Sequence, residues 1–363
     1  MLEAPVIGVV GTAKNTGKTT TLSYLILHAE RRGLRIGITG IGYDGEELDN
    51  ITSLPKPRLY LPSNTIVTTS EHCLPISTAK YDVLERTGIV TALGEVLILR
   101  ITQPGLVVVA GPNRKGTLAT VAGKMKNIGV DILLIDGSLN RLAPMAVAEK
   151  IIFTTGAARN IDIGVLAEEM KTIERAFSFQ ANDRELPPPR SIALLEKSKT
   201  SNLALISLLD KDDASTVLEN LTDKTECLYI PGLISAFAVQ NLIERLPKSC
   251  PGIILAGPFT LLLVGEPLVV LSLVESFEKK KVRISFASKP QLIAITINPF
   301  YPKPTGTAFA AAFVDKNEMM SQMHGAVGTP VFNVNEEKGD TLFSLCTRKP
   351  SEGFPLKGDS MLT

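Results

Sequence analysis

Gly11–Thr20 reads GTAKNTGKTT, and its flanks decide the fold class. Before it, Pro5–Val10 (PVIGVV) is a β-branched run of the kind that forms a buried strand. After it, Leu22, Leu25, Ile26 and Ala29 recur at helical spacing up to Gly33, a residue suited to ending a helix. The order strand, glycine-bounded loop, helix predicts a phosphate-binding loop. Backbone N–H groups converge on an anion, the positive end of a helix stands behind them, and a lysine reaches the outer phosphates. The expected nucleotide cradle is Gly11, Thr12, Ala13, Lys14, Asn15, Thr16, Gly17, Lys18, Thr19 and Thr20. Lys18 is its catalytic lysine, and the Thr19 hydroxyl faces Mg²⁺.

Two acidic positions complete the expected site. Arg35–Ile41 (RIGITGI) predicts a second strand that runs into Gly42-Tyr43-Asp44-Gly45-Glu46-Glu47. Ligands gather at the carboxyl ends of parallel strands, so this loop should arrive beside the phosphate loop. Asp44 is the candidate to orient an attacking water or to hold Mg²⁺ through water, with Glu46, Glu47 and Asp49 as substitutes. A solvated acidic turn with a helix cap is the competing reading. Asp131–Asp136 (DILLID) is an apolar strand ending in a carboxylate, which makes Asp136 the expected metal partner of Thr19. Asn140 and Arg141 follow closely enough to form a switch segment. The chain lacks an N-K-x-D segment for guanine, so ATP is the expected nucleotide.

Composition narrows the partners. A net charge of +1 leaves no electrostatic footprint for nucleic acid, and the absence of tryptophan argues against a base-stacking surface. Cys73, Cys227, Cys250 and Cys346 are scattered without metal-ligand spacing and read as reduced thiols. The apolar span 252–274 is long enough to raise the question of a membrane helix, but Pro258, Gly265, Glu266 and Pro267 interrupt it. It reads as a buried strand, a turn and a second buried element. With no leader signal before the first strand, a cytoplasmic location is expected.

A chain of 363 residues exceeds what one core usually holds, roughly 250–300 residues. The break at Leu186-Pro187-Pro188-Pro189-Arg190 suggests the partition. Residues 1–185 form the expected nucleotide-binding domain, a mostly parallel sheet with flanking helices. Residues 186–345 form a second α/β domain for recognition, and 346–363 a flexible tail. Helices are expected at 79–85 and 308–323, and strands at 203–208, 292–297 and 330–334.

The loop also carries a resemblance. Five residues, rather than the usual four, separate Gly11 from Gly17, and Gly11, Thr12, Gly17, Lys18 and Thr19 fit the loop of dethiobiotin synthetase. That implies a P-loop nucleotide-binding fold of the class that includes MinD-like ATPases. The signature lysine of those relatives falls on Ala13, which leaves a dimer across the nucleotide without direct support. The substrate lysine of the synthetases has no counterpart at Gly42-Tyr43-Asp44. Over its whole length, through GTAKNTGKTT, GITGIGYDGEELD, KPRLYL with NTIVTTSE, and DILLIDGSLNR, the chain resembles P-loop proteins associated with adenosylcobalamin-dependent aminomutases. In the lysine 5,6-aminomutase case this implies a reactivating ATPase that acts with a second subunit. The alternatives are an ATP-dependent ligase for a small carboxylate or amine, and a nucleotide-sensing adaptor that does not hydrolyse ATP.

Overall fold

The computed structural model describes residues 4–42, 58–139, 142–247, 252–306, 308–337 and 339–348. The chain opens with β1 (Val6–Gly11), α1 (Lys18–Arg31) and β2 (Ile36–Gly40). There follow β3 (Leu59–Leu61), β4 (Ile66–Ser70), a 3-10 helix (Glu71–Ile76), β5 (Lys80–Thr91), β6 (Gly94–Gln103) and β7 (Gly105–Val107). Then come α2 (Lys115–Ile128), β8 (Ile132–Ser138), α3 (Leu142–Met145), β9 (Lys150–Gly156) and α4 (Ile163–Ser178).

A second group contains β10 (Gln180–Ala181), β11 (Ala193–Leu195), β12 (Thr200–Asn202), α5 (Lys211–Asn220), β13 (Cys227–Ile230) and α6 (Ala236–Arg245). It continues with β14 (Gly252–Leu255), α7 (Pro258–Leu262), α8 (Pro267–Lys279) and β15 (Arg283–Phe286). The last elements are β16 (Gln291–Asn298), β17 (Phe300–Thr305), β18 (Ala308–Phe313), α9 (Lys316–Ala326), β19 (Val331–Phe332) and α10 (Thr341–Thr347).

The larger sheet has nine strands in the order β19-β16-β9-β1-β8-β2-β4-β6-β5. Neighbouring strands pair in parallel from β19 to β4, and β6 pairs antiparallel with both β4 and β5, so β6 alone runs against the others. β1 sits between β8 and β9 with every residue buried, which explains its continuous apolar run. Val6 and Val10 enter one core while Ile7 and Val9 enter the other, as the two-residue period of a strand requires. The smaller sheet, β10-β15-β14-β13-β11-β12, is likewise parallel at its centre. The molecule is therefore α/β, with a large mostly parallel sheet and flanking helices.

One hydrophobic core joins the two sheets, and α4 lies in it against β16, α7, α8 and α9. Phe153 of β9, Phe177 of α4 and Phe259 of α7 meet edge to face at 5.9 and 5.5 Å between centroids. Such pairs add about 0.5–1.5 kcal/mol each beyond the area they bury.

Several expectations are corrected. The partition at 186 assigns 292–297 and 330–334 to the second unit, yet β16 pairs with β9 and β19 with β16, so the chain returns to the first sheet. Residues 80–91 form the edge strand β5 rather than a helix, because pairing with β6 outweighs local propensity. The alanine-rich stretch 308–313 pairs with β17 as a hairpin strand, and the helix begins only at Lys316. The segment 203–208 is irregular apart from a bridge between Leu208 and Ile234. Cys346, placed at the head of a flexible tail, is fully buried in α10. The buried Lys150 ammonium donates to the carbonyls of Leu345 and Cys346 at 3.1 and 2.8 Å, which caps that helix from β9.

Among the described residues no helix is long and apolar enough to cross a membrane. The span 252–274 divides into β14, α7 and most of α8, as its prolines dictate.

Candidate functional site

β1 delivers Gly11 to the carboxyl edge of the larger sheet, and α1 starts at Lys18. The residues between them turn back sharply, and two of them adopt left-handed backbone: Asn15 at φ 62° and Gly17 at φ 95°. Asparagine and glycine are the residues that tolerate this region best. Gly17 is also the N-cap of α1 and has no side chain to close the helix, so the first-turn N–H groups face the loop interior.

A floor of threonines holds the loop. The Thr12 N–H donates to the Thr154 carbonyl at 3.0 Å, and the Thr12 hydroxyl donates to Thr155 Oγ1 at 3.2 Å. Thr16 Oγ1 donates to the Ala13 carbonyl at 2.9 Å and lies 3.3 Å from Thr154 Oγ1. Thr12, Thr16, Thr154 and Thr155 are all buried, so this hydrogen bonding satisfies groups that water cannot reach. From the far side, Asn298 at the end of β16 donates through Nδ2 to the Asn15 carbonyl at 2.9 Å. A Cβ built on Gly17 would stand 3.2 Å from the Asn298 Cβ, so glycine there serves both conformation and close packing.

The register places Asp136 level with Val9 of β1 and Gly40 of β2. Because β8 is the immediate neighbour of β1, the Lys18 ammonium reaches Asp136, with Nζ 2.9 Å from Oδ1. The contact is an ion pair, and this solvent-shielded oxygen has no hydrogen-bond partner among the described residues. A buried carboxylate oxygen in that condition is suited to a hydrated divalent cation or its water shell. Among the described residues no group of three His, Cys, Asp or Glu side chains is placed to hold a metal.

The structure thus draws Gly11, Thr12, Ala13, Lys14, Asn15, Thr16, Gly17, Lys18, Thr19 and Thr20 into one strand-to-helix loop and sets Lys18 against Asp136. Asp44 lies outside the described residues, as do Glu46, Glu47, Asp49, Asn140 and Arg141. Sequence reasoning passed over Thr154, Thr155 and Asn298. Thr154-Thr155-Gly156 is the polar end of an otherwise apolar strand, and Asn298 stands between a strand and Pro299. Both signals were present but did not point to the loop.

Just beyond β9, Arg159 pairs with Glu169 of α4 at 3.1 Å and with Glu266, the N-cap of α8, at 3.0 Å. Burial pushes the Glu169 carboxyl up, and the Arg159 guanidinium opposes that shift.

No protein-family model matches the chain, and no curated protein matches it. Among solved structures, a nucleotide-binding protein from Archaeoglobus fulgidus, in complex with ADP, is similar at 11% identity and a TM-score of 0.27. The alignment covers 94% of this chain and 85% of that one. The signal recognition particle receptor FtsY from Elizabethkingia anophelis is similar at 8% identity and a TM-score of 0.23, over 89% of this chain and 66% of that one. The pNOB8 ParA protein bound to nonspecific DNA is similar at 10% identity and a TM-score of 0.25, over 51% and 65%. Likenesses at this level transfer no function.

Proposed function

We propose that this chain is a Mg-ATP-binding P-loop ATPase that acts as a conformational switch on a protein partner. The observation that carries the reading is the uncapped start of α1, with Lys18 poised on an incompletely satisfied Asp136. Triphosphate oxygens would take the first-turn N–H groups and the Lys18 ammonium. Thr19 and Asp136 would hold Mg²⁺, which supplies charge neutralisation between the β- and γ-phosphates. Lys18 would then leave Asp136 for the phosphates, so the resting ion pair is a place-holder. Asp44 is the residue we assign to orienting the attacking water.

The partner we propose is an adenosylcobalamin-dependent aminomutase, with reactivation as the output and a second subunit assisting. The resemblance of GTAKNTGKTT, GITGIGYDGEELD and DILLIDGSLNR supports it. So does exposed apolar surface on the second sheet's unit. Ile206, Leu209, Leu233 and Phe237 are each at least half exposed on segments that hydrogen-bond to one another. Apolar exposure of this kind is what a protein-binding face requires.

The test is ATP hydrolysis with Mg²⁺, comparing wild type with Lys18→Ala, with and without an inactivated aminomutase. Slow turnover that requires Lys18 and rises with the mutase is expected. Tight ATP binding with no turnover under either condition would transfer the assignment to a sensing adaptor.

A further inference from the structure

Asn298 does more than pack under the loop. Its carbonyl accepts the Ala157 N–H at 2.9 Å, its Nδ2 donates to the Asn15 carbonyl at 2.9 Å, and its Oδ1 accepts the Phe300 N–H at 3.2 Å. The amide orientation is fixed by these partners, since a carbonyl needs the NH₂ group and an N–H needs the oxygen. The residue is wedged between two glycines. A Cβ at Gly156 would lie 2.3 Å from the Asn298 carbonyl oxygen, and one at Gly17 would lie 3.2 Å from its Cβ. With little free volume on either side, a shift of the loop at Asn15 has to move Asn298.

Phe300 opens the hairpin β17–β18, a two-stranded sheet of its own that pairs with neither larger sheet. The hairpin is tied at its root by the Val314 N–H to the Pro299 carbonyl at 3.0 Å and by the edge-on contact of Phe300 with Phe313 at 5.8 Å. Its outer residues Lys303, Pro304, Thr305, Phe309 and Ala310 are exposed. A two-stranded hairpin alone is marginally stable, so its order depends on how its root is held.

We propose that Asn298 is a positioning residue that reads the phosphate loop at Asn15 and transmits its state to the hairpin β17–β18 through Phe300, making the hairpin a nucleotide-responsive arm. This rests on the nucleotide-binding reading of the loop. Phosphate oxygens that order the loop fix the Asn15 carbonyl, which fixes the Asn298 side chain and, through Oδ1, the first residue of the arm.

The experiment is amide hydrogen exchange with and without saturating Mg-ADP on wild type, Asn298→Ala and Asn298→Asp. Peptides covering 11–20 report nucleotide binding, and peptides covering 300–313 report the arm. In wild type both should slow, the arm by about fivefold, within the range of local opening equilibria. The aspartate keeps an acceptor for the Phe300 N–H but has no donor for Asn15. Its arm should therefore exchange as in wild type without nucleotide yet fail to respond to it, while the loop peptides still respond. The alanine variant should also exchange faster at rest. A purely structural Asn298 would alter the resting rates and leave the nucleotide response. An arm that still responds in Asn298→Asp, or that never responds in wild type although the loop does, overturns the proposal. Absence of any loop response in wild type overturns the nucleotide reading and this inference with it.

Discussion

Two strand-to-helix joints in this molecule share one order of elements and differ in how the helix start is closed. β1 leads into α1 in the larger sheet, and β13 leads into α6 in the smaller. At α6 the cap is internal: Ser235 Oγ accepts the Ala238 N–H at 3.1 Å and donates to the Leu209 carbonyl at 2.6 Å. The neighbouring α5 is closed more fully by a capping box between Asp210 and Asp213. At α1 the cap is Gly17, with no side chain to offer, and the polar residues nearby serve the loop instead. The joint at α6 is thus a finished structural corner capped by its own side chain, whereas the joint at α1, which has no side-chain cap, is the one we propose as a receptor. A missing cap does not distinguish them by itself. α8 also lacks one, but it opens on Pro267 and its N-cap Glu266 is paired with Arg159.

The sharpest way to break this contrast is Lys18→Ala. If the α1 joint is the receptor, ATP turnover should fall by about 100- to 1000-fold, the scale on which lost transition-state charge stabilisation is felt. Thermal stability should move little, since the ion pair is partly exposed. Asp136→Asn should cost about 10- to 100-fold in Mg²⁺-dependent affinity or turnover, while leaving metal-free nucleotide binding within a few-fold, as titration at fixed nucleotide would show.

Gly17→Ala tests the loop backbone. An alanine at φ 95° costs about 1–2 kcal/mol, and contact with Asn298 adds to it. The denaturant midpoint should drop together with ATP affinity. Ser235→Ala is its counterpart at the capped joint. Loss of that cap should cost about 1 kcal/mol in the same unfolding assay and leave ATP affinity unchanged.

The smallest effect concerns the Arg159 cluster that ties β9 to α8. The Glu169 carboxyl is raised above its ordinary 4.5, chiefly by burial. The folded state therefore holds this proton more tightly than the unfolded state. That contribution to stability is full below pH 4.5 and is lost as pH rises through the raised value. Stability of wild type relative to Glu169→Gln should accordingly decline with pH just above 4.5, measured by urea unfolding of both proteins across that window.

Much of the site was legible because its signals are local. GTAKNTGKTT between a β-branched run and an amphipathic helix specifies loop and helix within about thirty residues, and DILLID announces a strand with a terminal carboxylate. The misread stretches share a cause. Residues 80–91 and 308–313 carry ambiguous local preferences and became strands because β6 and β17 offered partners. In the same way Thr154, Thr155 and Asn298 look unremarkable in isolation, since their importance depends on residues more than one hundred and thirty positions away.

The sequence by itself determined the glycine-bounded loop, the helix behind it, the carboxylate strand and the α/β class, because each follows from propensity, periodicity and glycine placement over short windows. Tertiary structure alone decided that β16 returns to the first sheet and brings Asn298 within 2.9 Å of the Asn15 carbonyl. It also decided that α10 is capped by the buried Lys150. The physical reason is that strand pairing and buried hydrogen bonds are satisfied between groups far apart along the chain, and no short window of sequence names the partner.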